Sequence, residues 1–229
     1  MIPMHGFVDA TGLARALAAA ARHHGAQVVE GCRVRSITPG KDELKVETDR
    51  GSLVGSAAVL AAGSWSGQVE VAGKRARIPV KPVRGQLLRL GWKGHGLRRV
   101  TWGSGCYLVP WEDGTLLVGA TVEDVGFDET TTVAGIRGLL GAATELVPDV
   151  ASAAFIDARA GLRPASADLL PIIGPSRICP NLTYATGHYR SGVLFAPLTA
   201  ALVADLVADN LSDPELAAFS PERFGMLEL

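Results

Sequence analysis

The run Ala57-Ala-Val-Leu-Ala-Ala62, closed by Gly63, constrains this chain more than any other stretch of it. Apolar at every position, it has no face to turn to water, so it predicts a buried parallel strand with cover on both sides. The residues around it supply candidates for that cover. Thr11–His24 carries Leu13, Leu17 and Ala20–Ala21 at helical spacing, with Thr11 or Asp9 as cap and Gly25 as the stop. Gln27–Val29, Arg33–Ile37, Leu44–Thr48 and Leu53–Val54 read as short strands, broken by turns at Pro39-Gly40 and Arg50-Gly51.

Beyond Pro79 the pattern becomes antiparallel. Val83 with Leu87, Leu88 and Leu90, then Tyr107–Val109, then Leu116–Val118 predict strands, the last two joined by a hairpin turn at Glu112-Asp113-Gly114. Thr132–Leu146 predicts a helix ended by Pro148, and Ala151–Ala160 a further strand. Leu182–Thr186 predicts a strand feeding through Gly187 into a helix over Val193–Ala208, with a kink permitted near Pro197. Helix, strands, more strands, helix, strand, helix is the order of two interleaved α+β lobes.

Composition removes several classes of function. With 229 residues, 48 % hydrophobic and 20 % charged, the chain has ample material for a core and none of the bias of a disordered segment. A formal net charge of −1 gives no electrostatic footprint for nucleic acid or an anionic membrane surface. The short clusters Lys74–Arg77 and Arg98–Arg99 read as solvated faces. Cys32, Cys106 and Cys179 are too sparse for a disulfide framework and fit a reducing compartment. No apolar run reaches membrane-span length, and the start Met1-Ile-Pro-Met-His-Gly lacks a signal peptide's basic and apolar regions. The expectation is a cytoplasmic protein.

Four segments carry the chemistry: Val59-Leu-Ala-Ala-Gly-Ser-Trp-Ser66; Pro82-Val-Arg-Gly-Gln-Leu-Leu88; Tyr107-Leu-Val-Pro110 through Val118-Gly-Ala-Thr121; and Gly161-Leu-Arg-Pro164, Asp168–Gly174 and Ala185-Thr-Gly-His-Tyr-Arg-Ser-Gly192. Taken alone, Ala61-Ala-Gly63 is equally an ordinary buried strand end, and either arginine of the last segment reads first as a surface or structural salt-bridge arginine. Together, in this order over nearly the whole chain, the four resemble the D-amino-acid oxidase superfamily, most closely its glycine oxidase branch associated with thiamine synthesis. The resemblance implies a mixed α+β and α/β fold, in which a partial FAD-binding, glutathione-reductase-like lobe is interleaved with an antiparallel-sheet substrate lobe. The implied boundaries are 1–78 for the remainder of the FAD-binding lobe and 79–159 for the substrate lobe. Residues 160–212 then return to the FAD-binding lobe, and 213–229 form a tail.

The resemblance also implies roles. Arg163 would hold the substrate carboxylate through a two-pronged pair of hydrogen bonds, with Tyr107 and Arg190 beside it. Val122 would line the pocket where relatives often carry methionine. FAD would be held non-covalently by Val34, Ala62, Gly63, Trp65, Gly85, Gln86, Gly161, Gly187, His188, Arg190, Ser191, Gly192 and Val193. The stretch Gly161–Asp168 lacks the cysteine that links flavin covalently in the related sarcosine oxidases. The implied reaction is oxidation of glycine, a small D-amino acid or an amine, with hydride passing to the flavin and oxygen yielding hydrogen peroxide.

Other chemistries fall away. Gly63-Ser-Trp-Ser-Gly67 has the glycine spacing of a nucleophile elbow but Trp65 at its centre. His188 beside Tyr189 has no triad around it, and no His-Glu-x-x-His or Cys/His set suits zinc. Asp157 and Asp168 read as turn residues, and His23–His24 as exposed. Gly103-Ser-Gly105 opens no helix, so the dinucleotide fingerprint that starts the relatives has no counterpart here. The expectation is a chain lacking its amino-terminal part, which leaves three readings: a truncated oxidase; a flavin-free remnant or half of a split oxidoreductase that binds a partner; and a D-amino-acid dehydrogenase. Strands Ala57–Ala62 and Leu182–Thr186 would then have uncovered edges, and the chain is expected to be marginally stable or to associate into homo-oligomers. Sedimentation analysis checks this: a single sharp monomer with cooperative unfolding would contradict it.

Overall fold

A computed structural model of the chain describes residues 6–73, 78–92, 97–209, 211 and 213–228. The start at Met1–His5 and the Lys74–Arg77 cluster lie outside the described residues. Helix α1 spans Ala10–His23, and strands β1 to β5 span Val34–Pro39, Leu44–Thr48, Gly51–Gly55, Ala58–Leu60 and Glu70–Val71. Strands β6 to β9 follow at Val80–Gly91, Thr101–Trp102, Tyr107–Pro110 and Thr115–Gly119, then α2 at Val133–Leu146. Strands β10 to β12, at Ala154–Ser166, Ile172–Pro175 and Leu182–Thr186, precede α3 at Gly192–Ala208. The chain divides into two units, Met1–Ala21 with Val83–Leu162 and Arg22–Pro82 with Arg163–Leu229. The first 21 residues therefore group with the antiparallel lobe, not with the lobe the sequence assigned them to, and the tail belongs to the second unit.

In the second unit, β3-β2-β1-β5 form one sheet and β11-β12-β4 another. The apolar run does become a parallel strand, with Ala58, Val59 and Leu60 opposite Leu182, Thr183 and Tyr184. It is shorter than its pattern, and Val59 is 44 % exposed, because β4 is the edge of its sheet among the described residues. Leu60, Ile172, Leu182 and Tyr184 join Ile37, Leu44 and Val71 in a single apolar core. Two expectations fail here. Gln27–Val29 is not a strand, and Val28 and Val29 stay exposed, since nothing pairs with them among the described residues. The tail folds into short 3-10 helices, Pro214–Phe219 and Pro221–Glu228, the first of which buries Leu216.

The first unit is built on a five-stranded sheet in the order β10-β6-β9-β8-β7. Alternation places Leu88, Leu90, Leu108, Leu116 and Val118 on one face, where they pack with Leu139 and Ala143 of α2. Leu87, Arg89, Tyr107, Leu117 and Gly119 turn to the opposite face. The predicted strand Ala151–Ala160 starts later and runs further, as a 3-10 turn over Pro148–Ser152 and then β10. Asp157 lies within this strand, as the predicted bounds already required, and not in a turn, a correction to its reading as a turn residue.

A buried polar network joins these elements. Arg84, 3 % exposed, donates from Nε to Glu123 Oε2 at 3.1 Å and from Nη1 to Asp128 Oδ2 at 2.6 Å. Gln86, fully buried, donates to Glu123 Oε1 at 2.7 Å and to Thr132 Oγ1 at 3.1 Å, and accepts from the Thr132 amide at 2.7 Å. Thr132 Oγ1 in turn accepts from the Gly135 amide and caps α2. A Cβ on Gly135 would stand 2.4 Å from Gln86 Nε2, whereas one on Gly138 would meet nothing within 4 Å. Gly135→Ala is expected to lower stability by ~1–3 kcal/mol through overpacking, while Gly138→Ala leaves it unchanged or raises it. The urea unfolding midpoints of the two variants check this.

Candidate functional site

In the first unit, one row of residues crosses the open sheet face. Trp102 pairs with Tyr107, Tyr107 with Gly119, and Gly119 with Leu87. Tyr107 lies across its neighbour: a Cβ on Gly119 would stand 2.4 Å from the phenol ring. Glycine is required there because the aromatic ring occupies the side-chain position. The Trp102 ring sits 5.0 Å from that of Tyr107 and is 59 % exposed. The sequence reading passed over Trp102, since only the β7–β8 register brings it beside Tyr107. Val122 is exposed on the segment after β9, next to Glu123, which pairs backbone to backbone with Arg84. Gly85 is buried, and the Gln86 side chain is spent on the network that caps α2. A cofactor role for Gln86 is left to its backbone.

In the second unit, the two arginine motifs are joined. Ala165 bridges His188, and the Tyr189 amide donates to the Pro164 carbonyl at 2.9 Å. Segments some 25 residues apart, Gly161-Leu-Arg-Pro164 and Gly187-His-Tyr-Arg190, thus meet backbone to backbone. Arg163 is half-buried, and Arg190 is exposed with its guanidinium 5.4 Å from the Tyr189 ring centroid. The turn needs left-handed backbone at Gly187, φ +77°, and Tyr189, φ +49°. The His188 ring faces α3, with Nε2 2.9 Å from Thr199 Oγ1, and burial pushes its pKa down. The ring is thus engaged with α3, and a cofactor role for His188 is left to its main chain.

The Ala62-Gly63-Ser-Trp65 segment is latched to the end of β12. Ser66 Oγ lies 2.8 Å from Thr186 Oγ1, which donates to the Gly63 carbonyl at 3.2 Å. Gly63, at φ +53°, has nothing within 4 Å of where a Cβ would be, so a flat ring can approach its backbone. Trp65 is 46 % exposed. Among the described residues no side-chain cap bond forms at Ser191, so the amides around Gly192 and Val193 suit a negatively polarised partner. Val34, with Arg33, Arg35, Gln68 and Glu70, lines a cleft of about 660 Å³. The open glycine and the uncapped helix start fit the ring end of a flavin.

The chain resembles known flavoproteins along nearly all its length. Residues 1–206 match the family described as FAD dependent oxidoreductase. It is 40 % identical over 226 residues to the "Bifunctional protein ThiO/ThiG" of Nostoc sp., covering 96 % of this chain and 34 % of that protein. It is 36 % identical to the glycine oxidase of Geobacillus kaustophilus, covering 97 % of this chain and 59 % of that protein. The crystal structure of the Geobacillus enzyme superimposes with a TM-score of 0.90 at 36 % identity, over 97 % of this chain and 60 % of that one. The chain thus spans about one third of the first relative and under two thirds of the second.

Behind the arginine motifs, Asp168 accepts from Arg223 Nε at 2.7 Å and Nη2 at 3.1 Å. The Arg223 guanidinium outweighs partial burial and holds the Asp168 carboxyl far below the usual carboxylate range. A depressed carboxylate pKa stabilises the fold above the unfolded value, roughly 3.9, and that stability is lost as pH falls below it. Asp168→Asn is expected to unfold at lower urea than the parent chain at pH 7, with the gap closing below about pH 4. Urea midpoints measured from pH 3 to pH 8 check this.

Proposed function

The chain belongs to the FAD dependent oxidoreductase family, and we propose that it forms the substrate-binding part of an oxidase acting on glycine, a small D-amino acid or a related amine. The observation that carries this reading is the joining of the two arginine motifs through the Tyr189–Pro164 hydrogen bond. In this reading Arg163 grips the substrate carboxylate with two parallel hydrogen bonds, which sets orientation as well as charge. Arg190 adds positive potential on the same unit; on the other unit, the family resemblance gives Tyr107 a role as a hydrogen-bond donor to substrate and Val122 a role in limiting side-chain size. Gly63, Ala62, Trp65, Val34 and the main chain of Gly187–Val193 would hold FAD without a covalent bond. When bound, FAD supplies the hydride acceptor. The protein's share of the work is to hold the α-hydrogen at the right place and to keep the amine and carboxylate fixed. No side chain of the proposed site is assigned as a general base.

Exposed apolar residues favour an additional covering layer. On α3, Leu194 is 76 % exposed and Leu198 56 %, and Val59 on the edge strand β4 is open as well. A partner chain, or the remaining length seen in the relatives, fits such a surface.

The test is a visible absorption spectrum of the purified chain after incubation with FAD and removal of the excess, followed by oxidase assays on glycine, sarcosine and D-alanine. Retained flavin with peroxide formation supports the reading. In that protein, Arg163→Lys is expected to weaken substrate transition-state binding by ~1–3 kcal/mol, read as a fall in kcat/KM. An unchanged kcat/KM would remove Arg163 from its role. A colourless, inactive chain would favour the partner-binding alternative.

A further inference from the structure

The second unit holds its two glycine turns, at Gly63 and Gly187, in very different ways. Gly187, at φ +77°, is hemmed in: a Cβ there would stand 3.3 Å from Ile172 Cγ1 and 3.4 Å from Ser166 Cβ. Its place is therefore set by β11 and the end of β10. Gly63, at φ +53°, has nothing within 4 Å of where a Cβ would be. The parallel pairing of β4 with β12 runs from Ala58 opposite Leu182 to Leu60 opposite Tyr184, and so ends short of both turns.

Side chains take over where that ladder ends. Thr186 pairs with Ile172 of β11, is 1 % exposed and directly precedes Gly187. Its Oγ1 donates to the Gly63 carbonyl at 3.2 Å. A threonine hydroxyl carries one proton. With that proton committed to Gly63, the 2.8 Å contact between Thr186 and the fully buried Ser66 has Ser66 Oγ as donor. The result is a directed chain, Ser66 to Thr186 to the Gly63 carbonyl, between segments far apart in sequence. Removing the middle hydroxyl leaves buried polar atoms unpaired on either side of it. The closely packed turn thus fixes the open one through a single side chain.

We propose that Thr186 is a positioning residue for the cofactor: it sets the main chain of Gly63 at a fixed spacing from that of Gly187, so that both turns meet the ring end of FAD together. The proposal rests on the flavin-binding reading above and deepens it, from the segments that touch the ring to the side chain that sets their spacing. Thr186 acts through the two glycines and needs no contact with the ring.

The experiment is an equilibrium titration of FAD with the purified chain, followed by flavin fluorescence, with the flavin absorption bands and the urea midpoint recorded for each variant. Thr186→Val keeps the side-chain shape and removes the hydroxyl. It is expected to weaken FAD binding about tenfold, the scale of one buried hydrogen bond, and to shift the bound flavin's absorption bands. Thr186→Ser restores the hydroxyl and should return both toward the parent. Ser66→Ala removes the donor that orients Thr186 and should weaken binding about threefold; it carries the same test where Thr186→Val does not fold. Ser176→Ala controls for stability. That hydroxyl accepts from the Cys179 amide and the Tyr184 hydroxyl, each at 3.2 Å, at the opposite end of the β11–β12 pair. Its loss should lower the urea midpoint and leave FAD affinity unchanged. Unchanged FAD binding in Thr186→Val, equal weakening in Thr186→Val and Ser176→Ala, or a loss that Thr186→Ser does not reverse would overturn the positioning role alone. A parent chain that binds no FAD would overturn the flavin-binding reading and this role with it.

Discussion

A guanidinium almost closed off from water stands at the root of the antiparallel unit. A buried charge is tolerated only when it is paired and hydrogen-bonded, and taking away one partner leaves an uncompensated ion. Arg84 meets that condition through Glu123 and Asp128, and its backbone is paired with that of Glu123 as well. Burial pushes the Glu123 carboxyl up, but hydrogen bonds from Thr121, Arg84 and Gln86 outweigh it and hold the pKa below the ordinary value. The order follows residue by residue: Arg84 holds Glu123, Glu123 orients the Gln86 amide, Gln86 holds Thr132, and Thr132 opens α2. Helix α2 then covers the core face of the sheet, while Tyr107 and Trp102 lie together on the opposite face.

The second unit solves a different problem, which is to bring two sequence-distant motifs together. It does so with backbone rather than side-chain bonds. The Tyr189 amide and Pro164 carbonyl fix the strand end, Gly187 and Tyr189 turn the chain in left-handed conformation, and His188 is tied to Thr199 on α3. The two motifs are thereby placed by the main chain. Asp168 and Arg223 brace the same strand end from behind, so the local rigidity carries a dependence on acid pH.

Much of this was legible in the sequence. The helices ended where their caps and breakers said, with Thr132 at the start of α2 and Pro197 tolerated inside α3. The hairpin at Asp113-Gly114 formed through the expected turn, with the Asp113 carboxylate accepting from the Thr115 amide. The four motif segments identified the family that the comparisons support. What misled was isolated periodicity: Gln27–Val29 alternates like a strand but lacks a partner among the described residues, and the far end of β10, to Ser166, depends on pairing that no local signal reports. Gln86 was read as a cofactor contact from its motif, whereas its side chain holds the α2 cap, a role that depends on a glycine 49 residues away.

The sequence by itself determined the class of fold, the positions of the helices and hairpin, and the residue types available for binding a carboxylate. These follow from local propensity, spacing and motif, which act over a few residues at a time. Only the tertiary structure decided which of those residues meet. Strand register set Trp102 beside Tyr107 and Tyr107 across Gly119, and the bridge between Ala165 and His188 set the two arginine motifs side by side. The physical reason is that a one-residue change of register turns every side chain to the other face, so the composition of a binding surface is fixed by long-range pairing, not by the strand's own sequence.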